Sequence, residues 1–301
     1  MSAVPAIAGD RPTPSPGLDQ PRFARILLGN RKFVVGMVVF LAIAGTALVG
    51  GLTVDPAERR TGAVPARQLP ASDLILGSTS LGQSVAVQWT QAVPNSLQVG
   101  LVAATIGTAI GAIIGLVAGY FGGRVDAVLR VLIDVFLSVP SLLFLILIAS
   151  LVRGVDVLTM ALIIGIFAWA WPARAVRAQA LSLKERPFIQ VARLSGMSNL
   201  DIVGRELLPH MLTWLGANFL NAFIAAILAE SGLSILGLGP QQEMTLGTMI
   251  YWSVQAYSAI FLNLWWWWLT PVATLMALFL SLYLVHLGLD EVGNPRLRTQ
   301  A

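Results

Sequence analysis

The stretch QVARLSGMSNLDIVGRELLPH, Gln190 to His210, interrupts the second half of a chain that is otherwise strongly apolar. It carries Arg193, Asp201, Arg205 and Glu206, with Gly196 inside it and Pro209 near its end. Just upstream, Pro187 suits a first helical position, and Glu185 lies near the positive end of the helix dipole. Phe188, Val191, Ala192 and Ser195 recur at i, i+3, i+4 and i+7, the spacing of one face of a short helix. Gly196 stops that helix. Ser198, followed three residues later by Asp201, is the start signal of a second, which is expected to run until Pro209 disrupts it. Leu200, Val203 and Leu207 fall on its apolar side, with Asp201, Arg205 and Glu206 left polar. The segment reads as a helix, turn, helix protrusion, too polar to cross a bilayer and too amphipathic for a loose loop. Such a knob docks into a groove on something else.

The chain around it is 301 residues long, 56% hydrophobic and 11% charged, with a mean hydropathy of +0.77. An ordinary soluble domain carries about 25% charged residues. Windows of about 20 residues, the length that crosses a hydrocarbon core, locate six spans. They are Phe33 to Leu52, Leu97 to Phe121, Val131 to Leu151, Leu158 to Trp171, Leu212 to Leu238 and Ile260 to Leu289. With the N-terminus inside, 15 of the 19 basic residues fall on inside segments, and only Arg59, Arg60, Arg67 and Arg153 stay outside. That bias predicts an all-α membrane protein with both termini cytoplasmic. It also explains the pI near 10 by topology, without a nucleic-acid partner. Residues 1–24, rich in proline, read as a disordered cytoplasmic tail. The apolar run from Phe33 follows Arg31 and Lys32 and is as long as a span, so it reads as an uncleaved helix and not a secretory signal. The expected organisation is a first helix with an external loop over 25–95, then a five-helix core over 96–298 containing the polar loop 184–210.

Several chemistries are excluded. The chain has no cysteine. Its two lysines, Lys32 and Lys184, do not follow glycine, so the phosphate-cradling G-x-x-x-x-G-K-[ST] loop is missing and the chain is not its own P-loop ATPase. His210 and His286 are the only histidines, and neither has a second ligand at helical spacing. No G-x-S-x-G or H-E-x-x-H occurs. No catalytic residue, metal site or cofactor is expected in this chain.

Ionisable groups within spans are costly and are functional suspects by default. Asp126, Arg130 and Asp134, four residues apart, can form an alternating-sign ladder on one helix face. That ladder is either a structural ion-pair stripe, the preferred reading, or a proton relay. Glu230 has no charged neighbour within four residues in sequence. It either makes a packing hydrogen bond or lines a translocation path, together with Ser231 and Ser234. Gly107, Gly111, Gly115 and Gly119 form a small-residue stripe that admits another helix closely, from this chain by preference or from a partner. Trp265 to Trp268 turn through most of a helix circumference and fit an aromatic belt at the outer interface, with a substrate-stacking role as the alternative.

The spacing of Ala192, Gly196 and Leu208-Pro209 resembles the EAA loop of ABC importer permeases, in which E-A-A is followed by a glycine and then by I-x-L-P. Gln190, Val191 and Glu206 depart from that pattern. AGYFGGRVDAVLRVLIDVFLSVPSLLF (Ala118 to Phe144) and AESGLSILGLGP (Ala229 to Pro240) are similar to the C-type permease of the dipeptide, oligopeptide and nickel importer group. SLGQSVAVQW (Ser80 to Trp89) stands where a D-x-x-G-R-D segment is usual, with Gln83 and Ser84 replacing a charged pair. NPRL (Asn294 to Leu297) stands where D-P-R is common. The resemblance implies a type I ABC importer permease fold in the inner membrane of a prokaryote. It implies as partners a second homologous permease, two cytoplasmic ATPase subunits that bind ATP and Mg, and an extracytoplasmic substrate-binding protein. In that family the loop couples to the ATPase, which would assign this contact to Gln190, Val191, Ala192, Gly196, Ser198, Asp201, Leu208 and Pro209. Di- or oligopeptides are the implied cargo, ahead of oligosaccharides or nickel complexes. The rival of another class is a proton-coupled secondary carrier using Asp134 and Glu230.

Overall fold

The computed structural model describes residues 20–293 apart from 56, 58 and 59. Most of the expected disordered tail and the whole NPRL segment therefore lie outside the described residues. The last residues assigned to that tail are helical: α1 spans Gln20–Gly29. Asn30 then caps α2 (Arg31–Thr53) by accepting a hydrogen bond from the Phe33 amide at 3.1 Å.

Helix α3 (Val85–Phe121) is the central element and packs against α2, α6 (Val157–Phe167), α7 (Ala170–Leu183) and α10 (Leu208–Ile235). It starts well before the expected Leu97, because Gln88, Gln91, Pro94 and Asn95 depress local hydropathy without breaking the helix. Its length, about 55 Å at 1.5 Å per residue, exceeds a hydrocarbon core of about 30 Å. The glycine stripe faces the same chain. A Cβ at Gly107 would meet that of Ala168 at 2.9 Å, and one at Gly111 would meet Pro172 at 2.7 Å. At Gly115 it would meet the Ala173 carbonyl at 2.6 Å, and at Gly119 the Cβ of Ala180 at 2.6 Å. Four missing methyl groups thus let α3 lie almost backbone to backbone on α7 and on the bend at Ala168 that precedes it.

Two expected spans are bent. Helix α4 (Gly123–Ser138) and α5 (Ser141–Leu151) meet at 78°, and α6 and α7 at 42°. The first break falls at Val139, held extended at φ −85° and ψ 128° ahead of Pro140, as a residue before proline prefers. Among the described residues, four helices suit a membrane crossing by length and composition, or up to six if each bent pair is one span.

The largest departure lies downstream of Gly196. Helices α8 (Pro187–Leu194) and α9 (Asn199–Asp201) appear where expected, but the chain does not stop at Pro209. It stays helical from Asn199 to Ile235, passing through a π-helical stretch at Ile202–Leu207 into α10. The Leu208 amide reaches back five residues to the Val203 carbonyl. This wider turn shifts the hydrogen-bond register just ahead of Pro209, which lies in the first turn of α10, where a missing N–H is tolerated.

At the opposite end, α11 (Leu246–Ile250) and a second π-helical stretch (Tyr251–Ala256) precede α12 (Trp265–Gly293), which packs along α2. Trp266 and Trp267 do not form a belt. Both are buried in a cluster with Val85, Leu246 and Met249, and Trp266 Nε1 donates to the Ser78 carbonyl at 3.0 Å. The loop over residues 60–84 folds under them, and this gives two of the four tryptophans something to pack on. Only Trp265 is exposed. At that loop's end Gln83 accepts from Gln88 at 2.9 Å, an uncharged contact where a charged pair is usual.

Candidate functional site

The knob is built from α8, α9 and the π-helical stretch. Gly196 ends α8 at φ +79°, a left-handed conformation that costs a residue with a Cβ about 1 kcal/mol or more. Around it the Met197 amide donates to the Ala192 carbonyl at 3.2 Å and the Gly196 amide to that of Arg193 at 3.1 Å, a complete Schellman cap. Ser198 then caps α9, its Oγ accepting from the Asp201 amide at 3.2 Å and donating to the Asp201 carboxylate at 2.5 Å. The turn is therefore fixed from both sides by backbone and side-chain bonds.

The inner face of the knob is apolar and overlaps the face the spacing suggested only in part: Ala192 and Leu207 are buried and Phe188 and Val203 pack half-buried against the same cluster, whereas Val191, Ser195 and Leu200 are exposed. Ile189, Ala192, Ile202, Leu207 and Met211 are buried against Leu116 and Tyr120 of α3 and Val176 and Ala180 of α7. Ile202 and Leu207 share a face because a π-turn brings residues five apart into line. Val203 packs half-buried beside them, and Leu200 is turned outward. Each fully buried aliphatic side chain contributes about 2 kcal/mol, enough to seat the knob firmly on the ends of α3 and α7. Tyr120 anchors it further. Its hydroxyl donates to Asn199 Oδ1 at 2.8 Å, and the Arg193 guanidinium lies 5.4 Å above its ring.

The outer face carries Val191, Leu194 and Leu200, exposed by 61%, 87% and 79%. Val191 belongs to this surface and not to the helix's buried side, so the buried side of α8 centres on Ile189 and Ala192, keeping Ala192 of the expected stripe and leaving Val191 and Ser195 out. Gln190 is exposed and makes only a long 3.5 Å contact to the Glu185 carbonyl, so its departure from the family's glutamate leaves the knob's interior untouched. Pro209 is exposed and Leu208 half-buried, both at the root of α10.

A second polar constellation lies toward the other end of α10. Glu230 is fully buried between α3, α10 and α11. Ser234 Oγ and Thr245 Oγ1 each donate to its Oε1 at 2.6 Å, and the hydroxyls of Ser96 and Ser231 approach Oε2 at 3.4 Å. Among the described residues no basic side chain lies within ion-pair distance of it. Ser96 also accepts the Leu246 amide at 2.9 Å, and Thr245 with Thr248 forms a reciprocal cap on α11. A Cβ at Gly247 would lie 2.7 Å from Ser231 Cα and from Ser234 Cβ. Glu230, Ser231 and Ser234 are thus enclosed where α11 is pinned onto α10 and α3. Sequence reasoning missed Ser96, Thr245 and Gly247. The signal was there in hydroxyls set among apolar neighbours, but nothing in the order of residues pairs positions 96 and 230.

The charge ladder is split between two helices. Asp126 takes both Arg177 Nε at 2.5 Å and Nη2 at 2.7 Å, while Asp134 takes Arg174 at 2.5 Å and Arg130 at 3.6 Å. His210 stacks on Phe188, and His286 sits beside Asp290 and the Ala217 carbonyl. No group of three metal-ligating side chains occurs among the described residues.

The fold is a central helix flanked by bent helix pairs, with a rigid amphipathic knob at one end. A family model described as binding-protein-dependent transport system inner membrane component matches residues 111–299. The chain belongs to that family. The oligopeptide transport system permease protein OppC of Mycobacterium tuberculosis is 32% identical over 234 residues, spanning 77% of this chain and 79% of that protein. The dipeptide transport system permease protein DppC of Bacillus subtilis is 29% identical over 277 residues, spanning 91% and 85%. Among solved structures, the MetNI methionine ABC transporter in an inward facing conformation aligns with a TM-score of 0.51 at 23% identity, over 67% of this chain and 93% of that one. That likeness concerns the fold. As an inner-membrane component of this family, the chain is a multi-pass membrane protein, and the family match covers the knob, both bent helix pairs and the Glu230 cage apart from Ser96.

Proposed function

We propose that this chain is a permease subunit of an ATP-driven importer of di- or oligopeptides, with six spans and both termini in the cytoplasm. The peptide assignment follows the functions named for its relatives. The single observation that carries the mechanism is the knob, a rigid base with Val191, Leu194 and Leu200 left exposed. Such a surface, held by a Schellman cap and a buried cluster, transmits a push without deforming. Its partner is a cleft on a cytoplasmic ATPase that holds ATP and Mg. ATP-driven closure of the ATPase pair would press on the knob, and the continuous helix from Asn199 to Ile235 would carry that displacement to the Glu230 cage. Gly196, Ser198 and Asp201 keep the shape of the contact, Gln190, Val191 and Ala192 supply its first helix, and Leu208 and Pro209 join it to the span. Residues 96–298 form the working core, with 25–95 a peripheral first span and external loop. A second, homologous permease would complete the path, and an extracytoplasmic binding protein would deliver cargo.

The test is Leu194→Glu in the assembled transporter reconstituted into proteoliposomes. The expected outcome is normal assembly with the binding protein's stimulation of ATP hydrolysis, and labelled-dipeptide uptake, both largely lost. Wild-type values of both would remove the coupling role. Uptake driven by a pH gradient without ATP would replace the importer reading with a proton-coupled carrier.

A further inference from the structure

We propose that the notch between α4 and α7, built from Arg130, Asp134, Arg174 and Arg177, binds the phosphate group of an anionic phospholipid.

The charges in this notch do not cancel. Arg177 is satisfied by its two-pronged contact with Asp126, and both side chains are about four-fifths covered. Asp134 alone faces two guanidinium groups. It accepts a hydrogen bond from Arg174 Nη2 at 2.5 Å, whereas Arg130 Nε stands off at 3.6 Å, beyond hydrogen-bond length. Arg130 and Arg174 remain 65% and 52% exposed, and both line the cavity. An ion-pair stripe with purely structural duty would match these charges. This one leaves a cation in surplus beside a cavity of about 340 Å3 floored by Ile133. Two guanidinium forks across such a cavity fit the oxygens of a phosphate, and the volume falls in the range of about 300–1,000 Å3 typical of small-ligand sites.

Position selects the lipid. The apolar run of the third span begins at Val131 and that of the fourth ends at Trp171, so the notch lies where hydrocarbon gives way to headgroups. Trp171, Val128 and Val131 are each at least 60% exposed on the same two helices. Exposed tryptophan at this level is the usual companion of the interface, and basic pockets between spans bind anionic headgroups. A freely dissolved phosphate would leave the valines and the tryptophan without a role, whereas acyl chains would cover them.

The test uses the purified full-length chain in mild detergent, titrated separately with phosphatidylglycerol, phosphatidylcholine and inorganic phosphate. Bound lipid is counted by native mass spectrometry, and the thermal midpoint is followed in parallel. Retention of phosphatidylglycerol but not phosphatidylcholine is expected, with about fivefold weaker binding for each of Arg130→Gln and Arg174→Gln. Asp134→Asn, which removes the competing carboxylate, should bind more tightly, and this arm does not depend on losing an arginine. Equal retention by the arginine variants, or equal retention of both lipids, overturns the proposal. Displacement of phosphatidylglycerol by equimolar inorganic phosphate would make the notch a site for a soluble anion and would likewise overturn it.

Discussion

Gly115→Ala is the sharpest probe of how the fold is held together. A methyl group at this position would lie 2.6 Å from the Ala173 carbonyl oxygen, 2.7 Å from Val176 Cβ and 2.9 Å from the Arg177 amide nitrogen. The first contact is about 0.8 Å inside the 3.4 Å at which ordinary van der Waals contact begins. Two of these atoms are backbone, so no rotamer change relieves the clash and the helices themselves must separate. Overpacking of this kind costs about 1–3 kcal/mol. The gain in helix propensity from glycine to alanine, up to about 1 kcal/mol, offsets part of it. A net loss of about 1–2 kcal/mol follows, and separation would also loosen the Arg177 to Asp126 pair beside it. In a chain of this size that is a fall of several degrees in thermal midpoint, at about 2–4 °C per kcal/mol. The control is Gly216→Ala in α10, where nothing lies within 4 Å and propensity alone should act, leaving stability unchanged or slightly raised. Differential scanning fluorimetry of both variants in one detergent reads the contrast. A Gly115→Ala midpoint at or above wild type, or equal losses in the two variants, would refute the close-packing argument.

Three further outcomes are expected. Glu230→Gln keeps side-chain volume and acceptor oxygen and should stay within about 1 kcal/mol of wild type, whereas Glu230→Leu strands the hydroxyls of Ser234 and Thr245 and should cost about 2–4 kcal/mol by thermal denaturation. Gly196→Val forces a β-branched residue to φ +79°; a loss of about 1–2 kcal/mol, seen as faster proteolysis within 184–210 and not elsewhere, is the signature, and an unchanged cleavage pattern contradicts it. Trp266→Phe keeps most of the buried ring but removes the bond to the Ser78 carbonyl, for a loss of about 1 kcal/mol and increased amide exchange at residues 77–79; unaltered exchange there would show that the loop ahead of α3 is held by other contacts.

Much of the architecture was legible in the chain because its causes are local. Apolar run length located the long helices, and Ser198 with Asp201 marked the start of α9, whereas the bend at Pro140 inside the expected Val131 to Leu151 span went unread. The knob's surface was misassigned for an equally physical reason. A period of 3.6 residues was assumed, but the π-helical stretch from Ile202 to Leu207 changed the period, turning Leu200 outward and burying Ile202. Pro209 misled in the same way, since its missing amide ends a helix only where the register requires a donor. The Glu230 cage was half visible: Ser231 and Ser234 are near in sequence, but Ser96 and Thr245 arrive on other helices.

What the sequence by itself determined is the solvent and the partition: a chain 56% hydrophobic and 11% charged belongs in a bilayer, and Gln190 to His210 cannot cross one. Transfer free energies of side chains are additive along a chain and need no knowledge of neighbours. What only the tertiary structure decided is which faces are filled and which are left open. The glycine stripe closes on α7 of the same chain, Trp266 and Trp267 go inside while Trp265 stays out, and Val191, Leu194 and Leu200 end up on the knob's free surface. Those outcomes depend on close packing between segments far apart in sequence, where one methyl group or one shifted turn decides the contact.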